Sequence, residues 1–324
     1  MYMDERHDKE ATRNEVGAAH IPPHPSVDGK HIMSTYWSME DAAEYCLRYV
    51  EKRYIGPGEI FGTSAWNGGD DFYDVMRMCR TGWDKDLGRA IDDVEEIVRK
   101  IETDYSLTTR FQPEHDFSGG GVDIDAYLHG QPENMITYPA IQTSGAGRVI
   151  AVAGSISASC GTGPDAYYRR GSVIGALALA MERQGMQTEL WLDDSAYGGS
   201  YGGGFNHSGY GHYSMTNRVL VKGANDALDM GKVMLAFAHP GALRHLAFGL
   251  MHAFPKSFQE EAELGAGMYG CAMGCNEVLP EGSIYLPCQF GEVNGDEMLV
   301  EYLKQLDIIK DPNIYSDEYN EMEV

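Results

Sequence analysis

Hydrophobic and polar positions change their spacing several times along the chain, and each change marks an element. Residues 149–153 (VIAVA) are a continuous apolar run rich in β-branched side chains, the pattern of a strand covered on both faces. The run gives way to Gly154-Ser155-Ile156-Ser157-Ala158-Ser159-Cys160-Gly161-Thr162-Gly163, where glycine and small hydroxyl residues predict a tight turn. Pro164 and Asp165 suit the first turn of a helix, since proline is pre-set for that position and a carboxylate complements the positive end of the dipole. Val173, Ile174, Ala176, Leu177, Leu179, Ala180 and Met181 continue that helix, and Gly185 stops it. Residues 188–192 (TELWL) then supply a second strand. Strand, crossover helix and strand in this order predict a parallel sheet with a right-handed connection, in which ligands gather at the carboxyl ends of the strands. The serine-rich loop falls at such an end.

The same reading divides the rest of the chain. Residues 1–30, rich in charge, histidine and proline, read as a flexible N-terminal arm. Residues 31–110 read as a helical N-terminal module, with helical spacing over Met39–Tyr54 and Trp83–Ile101. In the second segment Leu87, Ile91, Val94, Ile97, Val98 and Ile101 form an apolar stripe. Residues 111–147, rich in glycine and proline, read as an irregular connector with a short helix near Asp123–Leu128. Residues 148–310 hold the α/β domain: after the two strands come a third at Tyr213–Lys222 and two helices, Leu228–Leu235 and Pro240–His252. These are broken at His239-Pro240, because proline disfavours helix in its predecessor. A last strand at Ser283–Pro287 and a closing helix at Asp296–Leu306 complete it, and residues 311–324 form an acidic C-terminal tail.

Ser155, Ser157 and Ser159 alternate, so an extended backbone projects their hydroxyls to one side. Hydroxyls at this spacing ligate a hard cation when carboxylates supply the charge, and Asp193 and Asp194 follow the next strand at the same end of the sheet. The pattern resembles the Asp-x-Ser-x-Ser metal-ion-dependent adhesion site of von Willebrand factor A domains, with Ser155 standing where that site has its aspartate. A degenerate metal site of Ser155, Ser157, Ser159 and Asp194 would take magnesium, and no other cofactor is implied. Alternatively, the serines cap the helix and satisfy the backbone of the loop. Phosphate binding has only Gly161-Thr162-Gly163 with Arg169 and Arg170 behind it, and neither a Gly-x-x-x-x-Gly-Lys-Ser/Thr nor a Gly-x-Gly-x-x-Gly pattern is present. A serine nucleophile at 155 or 157, assisted by His239, His245 or His252, is chemically conceivable but lacks the Gly-x-Ser-x-Gly elbow.

Tyr197-Gly-Gly-Ser-Tyr-Gly-Gly-Gly-Phe-Asn-His-Ser-Gly-Tyr-Gly-His-Tyr213 follows the second strand. Glycine frees the backbone while Tyr197, Tyr201 and Tyr210 offer rigid amphipathic contacts, so the stretch reads either as a recognition loop or as a plain hairpin connection. The binding loops expected from sequence are therefore Ser155, Ser157, Ser159, Asp193, Asp194, Tyr197, Tyr201 and Tyr210. Cys271 and Cys275, with Cys288 behind them, are more loosely spaced than paired zinc ligands.

The segment from Phe117 to Met135 (FSGGGVDIDAYLHGQPENM), the serine-loop strand, the block from Asn225 to Phe248 (NDALDMGKVMLAFAHPGALRHLAF) and the upstream pair Gly82-Trp83 occur in an order that carries a family resemblance. Over roughly residues 60–310 the chain resembles an uncharacterised tailed-bacteriophage (actinophage-type) protein family. The resemblance implies a von Willebrand A-like core, a phage setting in the host cytoplasm or the virion, and a non-catalytic role in protein interaction or assembly with a phage or host protein.

Composition bears on that picture in two ways. A formal charge of −24 argues against a nucleic-acid partner, which would need concentrated lysine and arginine, and leaves open an acidic inhibitor of a host nucleic-acid-binding protein. With 43% hydrophobic residues the chain can bury a full core, yet it has no apolar run long enough for a membrane span and no apolar segment of the signal-peptide type near residue 1. The 6 dispersed cysteines make no disulfide framework, so reduced thiols are expected.

Overall fold

A mixed seven-stranded sheet organises the computed structural model. The structure describes residues 23–26, 29–55, 59, 61–85, 87–107, 114–116, 121–122, 124–132, 134–137, 148–158, 161–197, 213–254, 271–272, 283–287, 295–306 and 308–310. Through residue 137 the elements are β1 (Pro23–Ser26), β2 (Gly29–Tyr36), α1 (Met39–Tyr49), α2 (Phe72–Thr81), α3 (Leu87–Asp104), β3 (Ser106–Leu107), β4 (Glu114–Asp116), β5 (Gly121–Val122), α4 (Ile124–Leu128) and β6 (Met135–Thr137). The second half holds β7 (Val149–Ser155), α5 (Pro164–Arg183), β8 (Gln187–Tyr197), β9 (Tyr213–Lys222), α6 (Met230–Ala238), α7 (Phe248–Ala253), β10 (Cys271–Ala272), β11 (Ile284–Leu286), α8 (Gly295–Gln305) and β12 (Ile309–Lys310).

The large sheet runs β1-β2-β9-β8-β7-β11, with β10 paired to β8. Along the run β2-β9-β8-β7-β11 the pairs β2–β9, β8–β7 and β7–β11 are parallel, and only β8–β9 is antiparallel. This is the mostly parallel, Rossmann-like α/β sheet that the strand, helix, strand pattern predicts. Helices pack against it, α5 on β8, α6 on β9 and α1 on both β2 and β9.

β2, which takes the last two residues of the expected arm and residues 31–36 of the expected helical module, runs alongside β9 and extends the sheet. Its partner lies some 180 residues away, and local spacing holds no signal for that pairing. The helices of the same segment also close on the sheet's own core: Ala42, Cys46, Phe72, Val75, Val94 and Val98 join one cluster with Ile150, Val152, Leu190, Leu192, Val219 and Ile309. Ile91, placed on the apolar stripe of α3 by its spacing, is exposed, while Ala90 takes the buried position. The connector is more regular than its composition predicts, with a three-stranded antiparallel sheet β4-β6-β5 beside α4, and β3 pairs with β12.

Local chemistry sets the helix ends. Ser38 caps α1, Asp71 caps α2 and Asp229 caps α6, each side chain accepting from a backbone N–H three residues on. α5 has instead Gly163 at its N-cap with Pro164 following, and Gly185, in the left-handed region, terminates it. α6 stops before His239-Pro240 as predicted, but helical backbone resumes at once and widens into a π turn over Ala242–Ala247 before α7. Gly171 lets α5 and α6 meet backbone to backbone, for a Cβ there would lie 2.3 Å from that of Ala238.

Candidate binding site at the carboxyl end of the sheet

The register of β7, β8 and β9 sorts their side chains onto two faces. Gly154, Leu192 and Val219 are lateral neighbours, as are Ser155, Asp193 and Arg218 on the opposite face. A Cβ on Gly154 would strike Phe237 of α6 and approach Ile174 of α5, so the first set faces the helices. Trp191 belongs to the second, where its ring meets Trp37 edge-on at 5.6 Å.

On the face away from those helices Asp193 is fully buried and accepts from Arg218 Nη2 at 2.8 Å. Ser195 Oγ donates to its other oxygen at 2.7 Å and lies 2.8 Å from Thr216 Oγ1. Burial pushes Asp193 above the ordinary carboxylate range, and the Arg218 guanidinium works against that rise. Toward the helices Asp194 is buried opposite Asn217, which in turn pairs in register with Ser34 of β2. Burial and the neighbouring Asp193 charge push Asp194 up to about 7. Ser157 bridges loop and strand: its hydroxyl is 3.0 Å from both Asp194 Oδ1 and the Ser195 carbonyl, and it accepts from the Ser195 N–H at 2.7 Å. Ser155 Oγ, Asp194 Oδ2 and both side-chain polar atoms of Asn217 are buried without a hydrogen-bond partner among the described residues.

The structure therefore brings together Ser155, Ser157, Asp193 and Asp194, and places Tyr197 at the end of β8, in register with Ser214 and Cys271. Ser159, Tyr201, Tyr210, His207, His212, Cys275 and Cys288 lie outside the described residues. Asp193 is matched by Arg218, and among the described residues no group of three His, Cys, Asp or Glu side chains is arranged to hold a metal. The sequence reading missed Ser195, Thr216, Asn217 and Arg218. For the last three the signal was the polar run Thr216-Asn217-Arg218, which stands between Met215 and the apolar Val219-Leu220-Val221 where β9 crosses Ser195, Asp194 and Asp193.

A second polar cluster surrounds the start of α5. Arg244, on the π turn, is buried; its guanidinium donates to the carbonyls of Trp66 and, at 2.6 Å, Thr162, and lies over the Trp66 ring. Arg170 is buried too, with its guanidinium over the Tyr167 ring, whereas Arg169 is exposed; a pair of surface arginines facing an anion does not form. His239 accepts from the Gly241 N–H through Nδ1, so its Nε2–H donates to Asp70, and His245 donates to the Asp70 carbonyl. Burial holds both imidazoles below the usual histidine range. Beside them a cleft of about 300 Å³ is lined by Asp70, Trp83, Lys85, Arg89, Tyr168 and His239. The ring nitrogens of His239 are thus committed within the cluster, and among the described residues no histidine bonds to Ser155 or Ser157.

Residues 9–310 match the family described as Domain of unknown function (DUF7192). No curated protein and no solved structure matches the chain.

Proposed function

The chain belongs to the DUF7192 family, and we propose from its site that it is a phage-encoded, non-catalytic protein-interaction or assembly protein. Its α/β domain, von Willebrand A-like in this reading, engages a phage or host protein in the host cytoplasm or the virion. The observation that carries the reading is the use of the carboxyl-end side chains. Ser157, Asp193, Asp194 and Ser195 spend their hydrogen bonds on one another, on Arg218 and on backbone, beneath the surface. Such a network fixes the shape of a loop, and among the described residues it offers no exposed nucleophile with a free base beside it. The Gly-Tyr stretch between β8 and β9 leaves the same end of the sheet, and a formal charge of −24 favours a basic partner surface. Among the described residues no helix is long and apolar enough to cross a membrane.

The test is a photo-crosslinking side chain at Tyr201, with the same group at exposed Arg99 of α3 as control, in cells infected by the source phage. One defined protein crosslinked from position 201 and not from position 99 is the expected result. Native mass spectrometry with added magnesium supplies the opposing outcome: a stoichiometric metal, or ester turnover that Ser157→Ala abolishes, would replace this reading with a metal- or serine-dependent hydrolase.

A further inference from the structure

The helical run that resumes after His239-Pro240 begins with an unusual cap. His239 has extended backbone, φ −89° and ψ 124°, and Pro240 follows in the first helical position. The N–H of Gly241 donates to His239 Nδ1 at 3.0 Å, and the N–H of Ala242 donates to the His239 carbonyl at 3.0 Å. This is the geometry of a helix N-cap, in which a side chain accepts from the backbone just beyond it, with an imidazole in the place that Ser, Thr, Asp or Asn usually holds.

The ring is held in that orientation. Its Nε2 lies 3.0 Å from Asp70 Oδ2, Trp83 meets it edge-on at 5.2 Å, and Gly68, at φ +89°, comes so close that a Cβ there would stand 2.9 Å from Cε1. A carboxylate accepts and does not donate, so the neutral ring carries its proton on Nε2 and presents a lone pair at Nδ1. The titratable groups around it are Asp70 from the loop before α2, Lys85 from the segment before α3, Arg89 from α3, Asp165 and Tyr168 from α5, and His245 from its own run, where Asp71 acts on His245. Burial, the largest effect, and Lys85 oppose a second proton on the ring, while Asp70 favours one, and the balance leaves His239 below the usual histidine range. That second proton would go to Nδ1, where it meets the Gly241 N–H donor to donor and sets a positive charge at a helix N-terminus.

We infer that His239 is a protonation-sensitive N-cap: as a neutral ring it closes the start of the helical run over residues 240–253, and as an imidazolium it releases that start and loosens the turn from which Arg244 holds the carbonyls of Trp66 and Thr162. The device belongs to the fold and does not depend on the interaction reading. An uncapped, exposed histidine takes up a proton near pH 6.5, and the capped one only below that. The uncapping equilibrium is therefore level above about pH 6.5 and rises as pH falls below it, by at most roughly tenfold per pH unit.

His239→Asn keeps a capping oxygen but cannot titrate. Long-range proton–nitrogen NMR of wild type at pH 7.5 should show His239 with Nδ1 bare and Nε2 protonated. Amide exchange over residues 241–247, corrected for intrinsic rates, should give wild-type and H239N opening constants whose ratio grows as pH falls from 7 to 5; His245 and His252 are present in both proteins, so the ratio isolates His239. A ratio independent of pH, or a proton on Nδ1 at pH 7.5, overturns the cap. If H239N does not fold, the wild-type NMR titration decides alone: Nδ1 taking its proton at or above the ordinary histidine pH, or taking it without moving the Gly241 amide signal, overturns the inference.

Discussion

The Asp193–Arg218 pair is a buried ion pair between neighbouring strands, and breaking it is costly. Its members are 0% and 4% exposed, so truncating either strands the other's charge where water cannot reach. Arg218→Met should destabilise the protein by about 3–5 kcal/mol, and Asp193→Leu combined with Arg218→Met should recover most of that loss. Urea denaturation of the two variants and wild type checks both; a single mutant within about 0.5 kcal/mol of wild type would mean that Asp193 finds another partner. The serines were legible in sequence, because alternation with glycine flanks announces a polar loop at a strand end. Arg218 was not, since an arginine inside a strand gives no sign of whether it faces solvent or a buried carboxylate on the neighbouring strand. Arg170 shows the same limit on a helix, where spacing alone did not reveal that Tyr167 covers its guanidinium.

Among the elements, the run from His239 through α7 carries a pH dependence of its own. His239, His245 and His252 are all buried along it, and burial holds each below its usual range, the last two at about 4. Unfolded histidine titrates near 6.5, so between that pH and about 4 the unfolded chain takes up protons that the folded chain refuses. Stability should therefore be full above pH 6.5 and fall as pH drops through this window, by on the order of 1.4 kcal/mol per pH unit for each histidine involved. Urea midpoints at pH 7 and pH 5 should differ in this sense, and His252→Gln should narrow the gap. Asp194 pulls the other way over an overlapping range, so D194N should steepen the acid loss. The sequence disclosed the break at His239-Pro240, a steric property of one dipeptide, and most element ends, because caps and glycine stops are local. The π turn was hidden, and so were the contacts of Arg244 on it with the carbonyls of Trp66 and Thr162, both far away in sequence.

At the scale of the molecule, helices expected to form a separate module share one core with the sheet. Cys46 of α1 and Cys79 of α2 are sealed in it; burial raises both thiols, Cys79 to about 12. Neither should react with iodoacetamide at pH 8 in the native protein, and both should label together at the rate of unfolding, as peptide mass spectrometry would show. Labelling of Cys46 and Cys79 without loss of sheet structure would mean that the helices detach as a unit. The fold class was legible because a strand, helix and strand lie consecutively between residues 149 and 192. The reach of the core was not, since that depends on contacts between distant segments.

The pairing of β2 with β9 also bears on how the chain is made. Tyr36 lies opposite Val219, 183 positions later, so β2 leaves the ribosome long before its neighbour exists. At about 5–20 residues per second the wait is roughly 10–40 s, during which an unfinished strand edge is open to wrong partners. Nascent chains stalled before residue 213 should therefore bind chaperones through this segment, and release should follow once β9 is translated.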